Sequence, residues 1–337
     1  MRILTFDSRA ALSLRWSLDA LRVCFVAFGV LGVSSAMAFD LEGHRGTRGL
    51  APENTMAAFR RALQIGVSTI ETDMAVTKDD VIVLSHEPFL NPDLVRSADG
   101  AWLASPGASI RALTLAELLH YDIGRTDPAS KYARQFPEQQ PADGERFPQL
   151  TQLFDLVKSE TKPVRLNIET KITPTSGTDT PDPATFAALV VAAVESAKMT
   201  DRVTIQSFDW RTLVEAKRLA PGIETSCLTI QTTTTDTVKP PGDGASPWHA
   251  GLALRDHGGS LPALVKAAGC GTWSMFWRNL TPEDLAAAHK LGLKVLPWTV
   301  NDRADMSRLI DLGVDGIITD YPDRLRSLMA SKQMPPP

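Results

Sequence analysis

Strand-like and helix-like hydrophobic patterns take turns along this chain from about residue 41 onward. Strand patterns cover Leu41–Arg45, Thr69–Val76, Val81–Ser85, Val164–Thr170, Val203–Ser207, Glu224–Thr229, Gly271–Phe276, Leu293–Val300 and Gly313–Thr319. Helix patterns fall between most of them, at Thr55–Ile65, Leu150–Ser159, Pro183–Ser196, Trp210–Leu219, Pro262–Ala268, Pro282–Leu291 and Arg303–Leu312. Such alternation predicts a parallel sheet or barrel. Nine strands is one too many for a (β/α)8 TIM-type barrel. However, only Thr77 to Asp80 separates the second strand from the third, and a parallel crossover needs about a dozen residues or more. Those two strands therefore form an antiparallel hairpin, or the third is peripheral, and eight remain for the barrel.

Local signals agree with this division. Asn54 is placed to cap the first helix and Gly66 to end it. Thr281-Pro282-Glu283-Asp284 combines a cap, a proline in the first turn and early acids, with Gly292 as the stop. Two stretches break the alternation. Glu87–Phe147 is polar and rich in Pro, Gly and Asp, with one short helix near Thr114–Leu119. It is too long for a structureless connection and reads as an insertion after the third strand, folded over one end of the barrel. Gln231–Trp248 is rich in Thr, then in Pro and Gly, and reads as a mobile loop. One domain spans 39–330, and 331–337 reads as a disordered tail.

Composition changes the picture mainly at the N-terminus. Arg2, Arg9, Arg15 and Arg22 precede an apolar run from Val23 to about Val33, followed by Ala36-Met37-Ala38. This is the layout of a signal peptide over 1–38, cleaved near Ala38, rather than of a membrane span. The expected product is an exported protein, periplasmic or secreted, with no stable span in its mature form. Taking away the four arginines and two aspartates of that segment leaves 31 basic against 37 acidic side chains, a net −6. An acidic chain is a poor partner for nucleic acid. Cys227 and Cys270 remain after cleavage. Both read as strand positions, and a disulfide and two separate buried thiols stay equally open.

The chemistry-bearing residues sit at strand ends, where an α/β barrel keeps its catalytic mouth. His44 and Arg45 end the first strand and His86 ends the third. Glu71 and Asp73 lie two apart on the second strand and so share a face; Glu169 and Lys171 do the same at the end of the fourth. Two bare carboxylates cannot both point into an apolar barrel, because burying unpaired charge is very costly. One divalent cation held by Glu71, Asp73 and Glu169 resolves the conflict, and an all-oxygen donor set favours Ca²⁺ or Mg²⁺ over Zn²⁺. Two strand-end histidines beside that cluster suit proton transfer. His120, His249, His257 and His289 have no such neighbours in the sequence.

These segments also resemble a known family. His44-Arg45-Gly46, Ala51-Pro52-Glu53-Asn54-Thr55, Glu71-Thr72-Asp73, Thr77-Lys78-Asp79 and Ser85-His86 are similar to the glycerophosphodiester phosphodiesterases. So are Asn167-Ile168-Glu169-Thr170-Lys171, Pro297-Trp298-Thr299-Val300-Asn301 and the block from Gly313 to Pro322. The resemblance runs from about Leu41 to Leu328. It implies a TIM-type barrel, a metal on Glu71, Asp73 and Glu169, a histidine pair His44 and His86, and phosphate contacts from Arg45 and Lys171. It also implies that Trp298 packs on the glycerol part of the substrate, with Glu53 and Asn54 supporting the site from behind. Two departures stand out: Glu87 follows His86 where Asp is common, and Asp80 replaces a usual glycine.

The expected reaction is metal-dependent hydrolysis of a small glycerophosphodiester to sn-glycerol 3-phosphate and an alcohol, by histidine acid–base catalysis through a cyclic phosphate. Two rivals are a lysophospholipase D-like or other lipid phosphodiesterase, and a non-catalytic exported binding protein on the same scaffold.

Overall fold

A computed structural model describes residues 39–239 and 244–337. The expected signal peptide, and residues 240–243 of the expected mobile loop, lie outside the described residues. Nine strands and nine α-helices are described, besides short 3-10 turns: β1 (Asp40–Gly43), α1 (Met56–Ile65), β2 (Thr69–Val76), β3 (Ile82–Leu84), α2 (Leu115–Leu118), α3 (Leu150–Ser159), β4 (Arg165–Thr170), α4 (Pro183–Ser196), β5 (Val203–Ser207), α5 (Trp210–Leu219), β6 (Glu224–Thr229), α6 (Leu261–Ala267), β7 (Thr272–Met275), α7 (Pro282–Lys290), β8 (Lys294–Val295), α8 (Arg303–Leu312), β9 (Gly316–Thr319) and α9 (Pro322–Ser331).

Eight strands run parallel in the order β8-β7-β6-β5-β4-β2-β1-β9. Between β9 and β8 the barrel is closed by single backbone bonds rather than a full ladder: Asp315 N–H to the Val295 carbonyl at 3.1 Å, Ile318 N–H to Pro297 at 3.1 Å, and Val300 N–H to Ile318 at 3.0 Å. The expected strand Leu293–Val300 is thereby reduced to Lys294–Val295, since Pro297 has no N–H to give to a ladder. β3 pairs antiparallel with β2, off the barrel path, with Met74 opposite Leu84 and Val76 opposite Ile82. The hairpin's tight turn takes Asp80 to φ 59°, which is why glycine is at home there.

Two apolar cores follow. The main one lies between the barrel and its helices, and includes Phe59, Ile70, Leu166, Phe186, Trp210 and Ile317. A second, smaller one (Ala75, Val83, Leu90, Val95, Ile110, Leu118, Ile123, Phe147) joins the outer face of the hairpin to Glu87–Phe147. That segment is therefore packed around its own apolar centre.

Four details differ from the sequence reading. Thr55, not Asn54, caps α1: its Oγ1 accepts from Ala58 N–H at 3.1 Å, while Asn54 takes φ 54° and turns inward. The helix α9 was unforeseen, although Leu325, Leu328 and Met329 are spaced three and four apart and are buried. The end of the chain is built further than a tail from 331 implies, because Met334 N–H bonds to Met329 and its side chain packs on the main core. Cys227 and Cys270 form a disulfide with their Cα atoms 5.9 Å apart, and Cys270 precedes β7 rather than lying in it. None of the described helices is long and apolar enough to cross a membrane.

Candidate functional site

Strand register brings the polar residues into one layer. β2 and β4 align Glu71 with Asn167 and Asp73 with Glu169, and β4 and β5 align Glu169 with Gln206. Gly46 lets the loop after β1 turn back across them. It holds φ 83°, and a Cβ there would meet Ala58 at 2.8 Å. The result is a cavity of about 220 Å³ at the carboxyl ends of the strands, with His44, Arg45, Glu71, His86, Glu169 and Lys171 on one side. Phe208, Leu228 and Trp298 form its apolar wall.

Glu71, Asp73 and Glu169 present three buried carboxylate oxygens within 4.8 Å of one another. Each carboxylate is aimed by a neighbour. Gln206 Nε2 donates to Glu71 Oε1 at 2.9 Å, the Arg45 N–H to Glu71 Oε2 at 2.8 Å, and Asn54 Nδ2 to Asp73 Oδ2 at 3.0 Å. Thr72 Oγ1 fixes Asn54 in turn by donating to its Oδ1 at 2.7 Å. Asp73 Oδ1 is buried with no hydrogen-bond partner. Burial, then the charge of Asp73, raises Glu71 well above the carboxylate range. Burial also lifts Glu169 to about 7 against the pull of Lys171. Burial works against the charge of Asp73 as well, but Arg45, His86 and Lys171 more than offset it and hold its proton affinity far down. An orphaned oxygen among crowded carboxylates fits a hard cation.

The two cations predicted from sequence line this cavity while tied to its acids. Arg45 adopts φ 50°, donates from Nη1 to Glu53 Oε1 at 2.7 Å, and has Nε 3.2 Å from Asp73 Oδ2. Lys171 Nζ donates to Glu169 Oε1 at 2.9 Å and stands 3.8 Å from Asp73 Oδ1. Glu53 thus supports Arg45, and Asn54 supports Asp73.

The histidines have different partners. His44 Nδ1 lies 2.6 Å from Asp320 Oδ1, with Nε2 3.9 Å from Glu71 Oε2. His86 Nδ1 lies 2.9 Å from Glu87 Oε1. The Glu in place of the usual Asp therefore still reaches the ring. Both imidazoles are held neutral. Burial, then the charge of Arg48, lowers His44 to about 4, and burial, then Arg45, lowers His86 to about 3.

Sequence reasoning missed four of the residues that shape this site: Asp320, Arg48, Asn301 and Gln206. Asp320 follows β9 and is fully buried. It accepts from Arg48 Nε at 2.8 Å and Nη2 at 3.0 Å, from Asn301 Nδ2 at 2.7 Å, and faces His44. Arg48 and His44 outweigh its burial and keep its carboxyl far below the usual range. Its position at a strand end, inside a motif already singled out, was the available signal; the same strand-end logic points to Gln206.

Residues 44–324 match the glycerophosphoryl diester phosphodiesterase family. The chain is 30% identical over 290 residues to the glycerophosphodiester phosphodiesterase of Caldanaerobacter subterraneus subsp. tengcongensis, covering 85% of this chain and 96% of the relative. Among solved structures it resembles a glycerophosphoryl diester phosphodiesterase, described as putative, from Silicibacter pomeroyi, with a TM-score of 0.78, 34% identity, and 88% and 95% of the two chains covered. An Oleispira antarctica phosphodiesterase, solved with the product sn-glycerol-3-phosphate, shares the fold at a TM-score of 0.63 and 22% identity, over 86% of this chain and 96% of that one.

Proposed function

The chain belongs to the glycerophosphoryl diester phosphodiesterase family and is a phosphoric diester hydrolase; from that premise we propose that it hydrolyses small glycerophosphodiesters to sn-glycerol 3-phosphate and an alcohol, with a divalent cation and two histidines. The observation that carries this reading is the buried triad of Glu71, Asp73 and Glu169, two of which line one cavity with His44 and His86. Those three carboxylates would hold Ca²⁺ or Mg²⁺, which when bound would supply positive charge for the phosphate and lower the pKa of a substrate hydroxyl.

The chain's own residues then have separate tasks. Arg45 and Lys171 border the cavity and balance the phosphate oxygens, with Glu53 holding the first in place. His44 and His86 move the two protons that the reaction needs, one from the attacking hydroxyl and one to the leaving alkoxide. A neutral ring accepts the first proton, and the ring that protonates the alkoxide must first take one up to become the imidazolium. Asp320, beside His44 Nδ1, stabilises the positive ring that results. Trp298, with Phe208 edge-on at 5.4 Å between ring centroids, offers an apolar face to the glycerol carbons. A cavity of about 220 Å³ supports a compact glycerol phosphate over a buried acyl chain. Export also belongs to this reading, and the Cys227–Cys270 disulfide supports an oxidising destination.

The test is turnover of glycerophosphocholine by the chain lacking residues 1–38, before and after chelation and with Ca²⁺ or Mg²⁺ restored. Loss on chelation and recovery on add-back are expected. Full activity in the chelated protein would remove the carboxylate triad from the mechanism.

A further inference from the structure

The segment after β3 meets the loop that follows β1 and the first turn of α9. Phe136 lies against the guanidinium of Arg48, with 4.7 Å from Cζ to the ring centroid. Gln139 Nε2 donates to the Arg48 carbonyl at 2.7 Å, and Gln140 N–H to Leu50 at 2.9 Å. Glu138 pairs with Arg324 on α9. Phe136–Gln140 therefore grips Arg48 by its side chain and by its main chain.

Arg48 uses that support to face Asp320 squarely, giving one N–H to each carboxylate oxygen. Asn301 takes a further position on Oδ2. Asp320 Oδ1 has one more contact, the His44 ring at 2.6 Å. Every link is a short polar or ring contact, and Phe136 is itself buried, with the tilted ring of Tyr132 at 5.1 Å between centroids. An arginine freed of the ring regains rotamer freedom, and a two-pronged pairing needs the guanidinium plane held in place. Asp320 would then be held by Asn301 on Oδ2 alone, leaving Oδ1 and the imidazole it faces less firmly placed.

We propose that Phe136 and Gln139 are positioning residues for the His44 imidazole, acting through Arg48 and Asp320. The segment after β3 thereby contributes to the chemistry. The inference rests on the reading of His44 as a proton-transfer group.

The experiment uses the chain lacking residues 1–38 with Mg²⁺ or Ca²⁺, and two readouts. One is glycerophosphocholine kinetics. The other is the imidazole Nδ1–H signal of His44 in ¹H–¹⁵N spectra, assigned by its loss in His44→Asn. Phe136→Ala is expected to lower kcat about tenfold or more with KM within about twofold, a size typical of misplaced reacting groups. It is also expected to shift or broaden the His44 signal. Phe136→Tyr keeps the ring and restores both. In an Arg48→Met background, adding Phe136→Ala costs nothing further. Losses that add in the double variant, or a His44 signal unmoved by Phe136→Ala, overturn the proposal. If Phe136→Ala does not fold, Phe136→Leu and Gln139→Ala carry the same expectations. A wild-type chain that turns over no glycerophosphodiester overturns the functional reading alone, because the imidazole signal reports the Phe136–Arg48–Asp320 link without turnover.

Discussion

Asp320 and Glu87 make the two histidines chemically unequal. Asp320 is sealed from water and already shared by Arg48 and Asn301, whereas Glu87 is partly exposed. His44→Ala and His86→Ala are each expected to lower kcat by about a hundred- to ten-thousandfold, the usual size for a lost acid or base, measured on glycerophosphocholine. Asp320→Asn keeps the volume but removes the charge that faces His44 Nδ1 and Arg48. A fall in kcat of about a hundredfold with little change in KM is the expected outcome, since the ring loses the group that stabilises its proton. Strand parity made Glu71, Asp73 and Glu169 legible as a cluster before any coordinates. Arg48 was not legible, because nothing in its neighbourhood distinguishes it from a solvated loop arginine until Asp320 arrives from 272 residues away.

At the level of elements, the hairpin and the helix caps decide how the site is presented. The four residues from Thr77 to Asp80 forced β3 to run antiparallel, and the pairing of Ala75 with Val83 follows from it. The same turn takes the chain off the barrel path, so His86 follows a strand outside the barrel while the other site residues come from barrel strands and the loops that follow them. Capping was read one residue early at α1. Asn54 has the right chemistry for a cap, but Asp73 and Thr72 claim its side chain, and Thr55 caps instead. Thr55→Ala is therefore expected to lower stability by about 1 kcal/mol, read from denaturant midpoints. Asn54→Ala is expected to act on metal affinity more than on unfolding, because it frees Asp73 rather than the helix end; a calcium or magnesium titration followed by calorimetry distinguishes the two.

For the whole molecule, closure and burial set the stability. The Cys227–Cys270 bond spans 43 residues between β6 and the start of β7. Replacing both cysteines by serine is expected to cost about 4 kcal/mol, on the loop-entropy account of a cross-link of that length. His249 gives a pH signature. It is buried, stacked on Trp210 at 4.2 Å between ring centroids, and neither ring nitrogen has a hydrogen-bond partner. Burial lowers its pKa from the ordinary 6.5 to about 4. The unfolded chain therefore takes up a proton that the folded chain refuses, and stability falls as pH drops from about 6.5 toward 4, by at most about 3 kcal/mol. His249→Phe keeps a ring on Trp210 and is expected to flatten that part of the curve in melts between pH 7 and 4.5. An equally steep curve in the variant would assign the acid sensitivity elsewhere.

Hydrophobic rhythm and strand spacing determined the eight-stranded parallel plan, the off-path hairpin and the shared face of Glu71 with Asp73, because those are properties of neighbours in the chain. Whether two cysteines pair, which residue faces His44, where α9 docks and how β8 meets β9 were decided only by tertiary structure. Each joins groups far apart in sequence, and no local pattern carries the distance between them.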